Sequence, residues 1–141
     1  MIVVDANILL YATDAQSPRH EQARRWFEDA LNGTEEIGFP LVSLLAFVRL
    51  STDVRVFAVP LETREAVGTV ESWLSLPPAR LVSPTPKHWE TLAEVASGAR
   101  AKGPDITDAH LATLAREHGA AICTTDRGFA RYGGRVIDPT S

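Results

Sequence analysis

The sequence predicts an α/β fold with a largely parallel sheet and helices on both faces. Short apolar, β-branched segments alternate with amphipathic segments along the 141-residue chain. Proline and glycine residues separate the two kinds of segment, as at Pro40 and at Pro77-Pro78. Alternation of this kind is typical of parallel sheets with helical crossovers. A chain of this length fits one domain, so we expect residues 1–141 to form a single domain.

Each predicted element follows from its local pattern. The run MIVVD is short, apolar and β-branched, which indicates a buried strand. In the first long helix, apolar residues recur at three- and four-residue spacing and Gly33 follows the last of them. Gly119 closes the last long helix in the same way. The predicted strands are residues 1–5, 37–39, 80–83, 120–125 and 135–139. The predicted helices are residues 6–12, 20–33, 41–53, 63–76, 87–100 and 108–119, with a helical turn at 126–132.

Composition excludes several classes of protein and several kinds of site. A single cysteine, Cys123, excludes an internal disulfide framework and a multi-cysteine zinc site. The opening segment has no basic region of the signal-peptide type, and no apolar run approaches the ~20 residues that span a bilayer. We therefore expect a cytoplasmic protein without a membrane segment. The net charge of −4 argues against a simple binder of nucleic acid, but a metal-dependent nuclease carries its metal-binding acids and is compatible with it.

Four aspartates stand where a parallel sheet binds ligands. Asp5 ends the first predicted strand and Asp126 follows the strand at 120–125, while Asp105 and Asp108 lie just before or at the start of the preceding helix. Ligands of open α/β sheets bind beyond the carboxyl ends of the strands. Several carboxylates gathered there repel one another and call for a cation, and a hard divalent ion suits oxygen ligands.

Each aspartate also has a purely structural explanation. Aspartate is one of the best helix N-cap residues, so any one of the four could simply cap the helix that follows it. The capping explanation weakens when all four are considered together. If they do bind Mg²⁺ or Mn²⁺, the ion can activate a water and offset charge on a departing phosphodiester oxygen. No HExxH pair and no Gly-rich phosphate loop offers another chemistry.

Three segments of the chain resemble the PIN-domain nucleases and, within them, the VapC toxins. These segments are VDANILLYA, TDAHLATLAREHGAAICTTDRGFARY and VIDP. The resemblance implies a three-layer α/β/α PIN fold, Mg²⁺- or Mn²⁺-dependent cleavage of RNA, a VapB-type antitoxin and a homodimer. At matching positions it implies that Asp5, Asp108 and Asp126 are metal ligands. It also implies supporting roles for Asn7 and for the Thr125 hydroxyl.

One position departs from the family pattern. The family usually carries a glutamate in a segment resembling EFLR, and Ala46 stands at that place in AFVR. Asp105 could act as a fourth catalytic acid, three acids could suffice, or the domain could be catalytically weakened and bind RNA or a partner without cutting. From the sequence we expect Asp105→Asn to lower activity more than tenfold. Arg49 and Arg127 are candidates for contacts to substrate phosphate or to an antitoxin.

A phosphatase with an aspartyl nucleophile is the other enzymatic alternative. That chemistry usually requires a second acid two residues after the first, and this chain has Asn7 there. His110 lies two residues after Asp108, and such residues do not share a helix face, so we expect it to pack between helices.

Overall fold

Five short parallel strands form the centre of the protein, which a computed structural model describes over residues 1–141. The strands are β1 (Ile2–Val4), β2 (Ile37–Pro40), β3 (Ala79–Val82), β4 (Ala121–Cys123) and β5 (Val136–Ile137). Their order across the sheet is β3-β2-β1-β4-β5, and every pairing is parallel. The sheet confirms the parallel α/β arrangement predicted from the alternation of segments.

The helices cover both faces of this sheet. They are α1 (Ala6–Thr13), α2 (His20–Leu31), α3 (Leu41–Ser51), α4 (Thr63–Leu74), α5 (His88–Gly98) and α6 (Asp105–Glu117), followed by a 3₁₀ helix over Arg127–Tyr132. None of these helices combines the length and the apolar character needed to cross a membrane.

Two separate cores show that the fold has three layers. Side chains alternate across a strand, so Ile2 and Val4 of β1 join one core while Val3 joins the other. The first core includes Phe27 of α2 and Phe47 of α3, and residues of α1 and α4 also pack into it. The second core is formed with α5, α6 and the 3₁₀ helix. This arrangement confirms the expected α/β/α sandwich.

The strand order creates a crevice at one edge of the sheet. From β1 the chain moves outward to β2 and β3, and it later returns to place β4 and β5 on the other side of β1. The connections therefore diverge between β1 and β4. In open α/β sheets, the crevice beyond the carboxyl ends of such strands is the usual ligand site. Asp5 follows β1, and Asp126 comes shortly after β4.

Element boundaries differ from the predictions mainly at α6. The sequence predicts a loop through residue 107, whereas the helix begins at Asp105 directly after Pro104. Proline is tolerated at a helix start because the first N–H groups have no partner within the helix. Strands β1, β4 and β5 are shorter than predicted. Gly119, with φ of +61°, follows the end of α6 in the left-handed conformation expected of it.

Gly38 allows two strands and the N-terminus to pack closely. A Cβ atom at this position of β2 would lie 2.6 Å from Val82 Cγ2 and 3.1 Å from Met1 Sδ. No side chain fits there without moving its neighbours. The glycine therefore permits the tight packing that holds β2, and the start of α3 that follows it, beside β1.

Candidate functional site

Asp5 and Asp126 are joined through one buried hydroxyl. The Thr124 Oγ1 donates to Asp5 Oδ2 at 2.8 Å, and the same oxygen accepts from the backbone N–H of Asp126 at 3.0 Å. Each acid also receives a backbone hydrogen bond, Asp5 from Ala6 at 2.7 Å and Asp126 from Gly128 at 2.8 Å. These last bonds are the capping contacts that the sequence left open for both acids. Asp5 and Asp126 therefore each cap the helix that follows, and they also lie close to one another.

Asp108 completes an acidic edge that we define as Asp5, Asp108 and Asp126. It lies in the first turn of α6 and lines a depression of about 70 Å³ together with Asp5. Partial burial and the nearby charges of Asp126 and Asp5, with a smaller contribution from Asp105, raise the pKa of Asp108 to about 6. The three carboxylates therefore occupy one edge of the sheet and repel one another.

The pKa of Asp5 is also raised, and burial is the largest cause. The hydrogen bonds from Thr124 and Ala6 oppose this effect, while the charge of Asp126 adds to it. No arginine or lysine forms an ion pair with any carboxylate of the acidic edge. The negative charge of the edge is therefore offset only in part, by the charge of Arg131 acting on Asp108 without an ion pair.

Asp105 is not a free fourth carboxylate. Its Oδ2 pairs with Arg131 at 3.1 Å, and the hydrogen bond from Arg131 is the largest cause of its lowered pKa. Asp105 still contributes negative charge felt by Asp108, but a cation of the protein already balances much of it. The D-x-x-D spacing brings the two aspartates close along α6, and the 3₁₀ helix supplies the arginine that sequence reasoning did not connect to them.

The comparisons with known proteins agree with this arrangement. The family model for the PIN domain matches residues 2–135. Ribonuclease VapC37 of Mycobacterium tuberculosis is 44% identical over 134 residues, covering 95% of this chain and 93% of the relative.

The chain belongs to the PIN-domain family.

Solved structures show the same fold at lower identity. A Mycobacterium tuberculosis VapC20 structure, titled a sarcin-ricin loop cleaving toxin, superposes with a TM-score of 0.71 at 20% identity and covers 94% of this chain and 95% of that one. VapBC2 from Rickettsia felis, bound to a promoter DNA fragment, superposes with a TM-score of 0.70 at 15% identity and covers 98% of both chains. The PIN fold predicted from the motifs is confirmed.

The supporting hydroxyl of this PIN domain belongs to Thr124 and not to Thr125. Thr124 is 1% exposed, and its hydroxyl contacts the Asp5 carboxylate and the backbone N–H of Asp126. Thr125 instead donates its backbone N–H to Asn7 Oδ1 at 3.5 Å. Successive side chains of an extended chain point to opposite sides, so only one of the two threonines faces β1. Asn7 contacts the same hydroxyl, because its Nδ2 donates to Thr124 Oγ1 at 3.2 Å.

Ala46 and Ser43 line the same depression as Asp5 and Asp108. Ala46 therefore lies beside the acids, where the family pattern suggested a glutamate, and it leaves that side of the depression without a carboxylate. Ser43 Oγ is buried and has no hydrogen-bond partner. Sequence reasoning missed Ser43, and its three-residue spacing from Ala46 on one helix face was the available signal.

The donor set of this PIN domain fits a divalent cation. Two carboxylates line the depression, a third lies close enough to raise the pKa of Asp108, and an unpartnered hydroxyl is at hand. Carboxylate and hydroxyl oxygens with waters are the donors that Mg²⁺ and similar ions prefer. No three His, Cys, Asp or Glu side chains of the structure lie close enough together to hold one metal ion.

The two candidate arginines lie at the surface. Arg49 is exposed in the last turn of α3, and its charge helps to lower the pKa of Asp53, although the Arg55 hydrogen bond is the main cause. Arg127 is exposed and directly follows Asp126. Neither arginine forms an ion pair with a site acid, so both remain free to meet a partner.

A second polar cluster, which we call the histidine chain, comprises Thr85, His88, His110 and Glu117. His88 Nδ1 donates to Glu117 Oε1 at 2.5 Å, and His88 Nε2 lies 2.8 Å from His110 Nδ1. Glu117 also accepts from the Thr85 hydroxyl and backbone N–H. His110 thus packs between helices α5 and α6 as expected, while the partners of His88 and Glu117 could not be read from the sequence.

Proposed function

We propose that this chain is an endoribonuclease that cleaves RNA with a divalent ion, Mg²⁺ or Mn²⁺, held by Asp5, Asp108 and Asp126. The observation that carries the proposal is the acidic edge itself, where three carboxylates lie close together without an ion pair, and where partial burial and the neighbouring carboxylates raise the pKa of Asp108 to about 6. Its relative VapC37 is named a ribonuclease and is 44% identical over nearly the whole chain. That relationship supports RNA as the substrate and cleavage over binding alone.

Each residue of the edge has a separate task. Thr124 holds Asp5 in one orientation and also fixes the backbone at Asp126, so it ties the acid that follows β1 to the acid that comes shortly after β4. Asn7 orients Thr124 in turn. The Gly128 N–H holds Asp126 from the other side. Preorganised ligands of this kind lose little freedom when they bind an ion.

A bound divalent ion would supply acidity to a coordinated water and offset charge on the departing phosphodiester oxygen. The protein residues would bring the phosphate to this position. Arg127 follows Asp126 in the chain and is exposed, so we propose that it contacts a substrate phosphate or an antitoxin carboxylate. We assign the same alternatives to Arg49. Asp105, paired with Arg131, would add to the negative field around Asp108 from outside the ion's ligands.

We also propose one PIN domain over residues 1–141, a VapB-type antitoxin as partner and a homodimer in solution. The family model spans residues 2–135, which supports the single domain. Exposed apolar side chains at Leu41, Leu45 and Leu81 provide surface for a protein contact. A cytoplasmic location remains an expectation from composition.

The proposal is tested with RNA and metal together. Purified protein is incubated with structured RNA in Mg²⁺ or Mn²⁺, with and without EDTA, beside Asp5→Asn. Cleavage that requires the metal and falls more than a hundredfold in the variant is expected, because Asp5 supplies a ligand. Asp29→Asn, at an exposed position of α2, serves as the matched control and should cleave like wild type. RNA retention without any cleavage would instead support a binding domain.

A further inference from the structure

Ser43 presents a buried hydroxyl without a partner. It is the third residue of α3 and is 2% exposed, yet its Oγ makes no hydrogen bond within the protein. Buried polar side chains in native proteins are hydrogen-bonded in the large majority of cases, and an exception calls for a missing water, ion or ligand. The hydroxyl is therefore available to a water, ion or ligand that binds beside it.

Several threonine hydroxyls in the helices of this chain are satisfied locally. Thr13, Thr52 and Thr113 each donate to the carbonyl four residues earlier, at 2.9, 2.8 and 2.7 Å. For Ser43 the residue four positions earlier is Phe39, which belongs to strand β2. Because β2 passes into α3 with no intervening loop, no helical carbonyl stands in the usual place. Ser43 therefore lacks the helical carbonyl, four residues earlier, that accepts from the threonine hydroxyls.

The position of Ser43 gives its hydroxyl a specific environment. It lines the depression of about 70 Å³ that Asp5 and Asp108 also line, with Ala46 one turn further along α3. Ala46 contributes only a methyl group. Among the residues of α3 that line the depression with the two carboxylates, Ser43 is the one that carries a hydroxyl.

We propose that Ser43 is a positioning residue that holds a water of the divalent ion's coordination shell. This inference rests on the proposed function. Ions such as Mg²⁺ keep several waters when few carboxylates bind them, and a hydroxyl can both donate to and accept from such a water. Ser43 thereby takes over, through a water, part of the role that a carboxylate at position 46 would have.

The test compares two buried serines of the same helix. Ser51 also lies in α3, is fully buried and has an unpartnered Oγ, but it does not line the depression. Mn²⁺ is titrated into the full chain, and the free ion is followed by its electron paramagnetic resonance signal. Ser43→Ala should weaken Mn²⁺ binding about tenfold, the range found when a group supporting a metal site is removed. Ser51→Ala should stay within twofold of wild type.

Further variants separate hydrogen bonding from packing. Ser43→Cys keeps nearly the same volume with a poor hydrogen-bonding group, so it should bind Mn²⁺ almost as weakly as Ser43→Ala. Full binding by the cysteine variant would show that packing matters and would overturn the proposal. Cleavage by Ser43→Ala should recover when Mn²⁺ is raised about tenfold, which a merely structural defect would not allow.

The outcome also distinguishes this inference from the proposed function. If wild type binds Mn²⁺ and cleaves RNA while Ser43→Ala binds the ion equally well, the inference about Ser43 fails alone. If wild type binds no Mn²⁺ and cuts no RNA, the metal-dependent function fails and this inference fails with it. Thermal unfolding of the metal-free variants should match wild type closely, since the hydroxyl has no partner to lose.

Discussion

Helix α6 carries two polar groups only two residues apart that lie in opposite electrostatic situations. Asp108 belongs to the acidic edge, where partial burial and then the nearby carboxylates raise its pKa to about 6 and no cation forms an ion pair with it. His110 belongs to the histidine chain, where donors and acceptors alternate from Thr85 through Glu117 and His88. One helix therefore supports a region of unrelieved repulsion and a region of satisfied hydrogen bonds.

This difference shows which cluster is built for a partner outside the protein. In the histidine chain each donor meets an acceptor, so this cluster requires no ligand. Its hydrogen bonds stabilise the packing of α5 on α6. Gathered carboxylates destabilise the folded state until a cation arrives, so their persistence in one place indicates binding. Four substitutions break or sharpen this contrast, and they are ordered by the size of the expected effect.

The largest effect is expected from Asp108→Asn. The variant should lose RNA cleavage by more than a hundredfold, because a proposed metal ligand is removed, yet its metal-free form should melt at a higher temperature than wild type near pH 8. A carboxyl with a raised pKa stabilises the fold when protonated, and that stabilisation is lost as the pH rises from about 4 through about 6. The difference in melting temperature should therefore vanish near pH 4.

Calorimetry at pH 4 and pH 8, beside the exposed-position control Asp29→Asn, checks this prediction. Equal melting temperatures of wild type and Asp108→Asn at pH 8 would contradict the repulsion that defines the acidic edge. Addition of Mn²⁺ should raise the melting temperature of wild type and leave that of the variant nearly unchanged, since binding to the folded state stabilises it.

Glu117→Ala should have the opposite effects, with a loss of stability and little change in RNA cleavage. It leaves His88 and Thr85 without their acceptor in a buried place, so it should destabilise the protein by about 2 kcal/mol. Burial alone would raise the pKa of Glu117, but hydrogen bonds from Thr85 and His88 lower it overall. The stabilisation from this carboxylate is thus present above its unfolded pKa and is lost as the pH falls through the lower folded value.

Urea unfolding at pH 7 measures the loss, and RNA cleavage at low temperature measures activity. Activity per folded molecule should remain within threefold of wild type. Glu117→Gln, which can still accept hydrogen bonds, should lose less stability than the alanine variant. A large loss of cleavage in a folded Glu117 variant would show that the histidine chain takes part in the chemistry.

Ala46→Glu should strengthen the binding of a divalent ion at the acidic edge. A carboxylate at this lining position of the depression would offer the ion a further ligand, so Mn²⁺ should bind about fivefold more tightly, on the order of 1 kcal/mol. Isothermal titration calorimetry against Ala46→Gln, which has the same size without the charge, isolates the carboxylate. Weaker binding in the glutamate variant than in the glutamine variant would contradict the placement of Ala46 beside the ion.

Asp105→Asn should have the smallest effect. With Arg131 beside it, Asp105 contributes only part of its charge to the edge, so we expect cleavage to fall by less than about threefold. The sequence alone led to an expectation above tenfold. Initial rates of RNA cleavage in saturating Mn²⁺ discriminate between the two values, and a drop above tenfold would restore Asp105 as a fourth catalytic acid.

The sequence predicted the parts of the site that follow directly from strand ends. Asp5 and Asp126 come after strands that pair with or lie beside one another, so their meeting follows from the topology of a parallel sheet. The TTD motif contains two adjacent threonines, and the motif alone does not tell which of them faces β1. Thr124 faces β1 and Thr125 does not.

Contacts between elements distant in the chain escaped prediction. The pairing of Asp105 with Arg131 joins α6 to the 3₁₀ helix, and the bond between His88 and Glu117 joins α5 to α6. Such contacts depend on how two helices pack, which local patterns do not encode. The environment of Ser43 was missed for a related reason, since only the structure shows that its hydroxyl lacks a local acceptor.

The central position of β1 has a consequence for biosynthesis. Its neighbour β4 comes more than a hundred residues later in the chain, and the Thr124 hydroxyl that orients Asp5 lies 119 positions after it. A nascent polypeptide that has reached only α5 contains one of the three carboxylates and lacks the strand that lies beside it. The proposed metal site therefore cannot assemble until translation has passed Asp126.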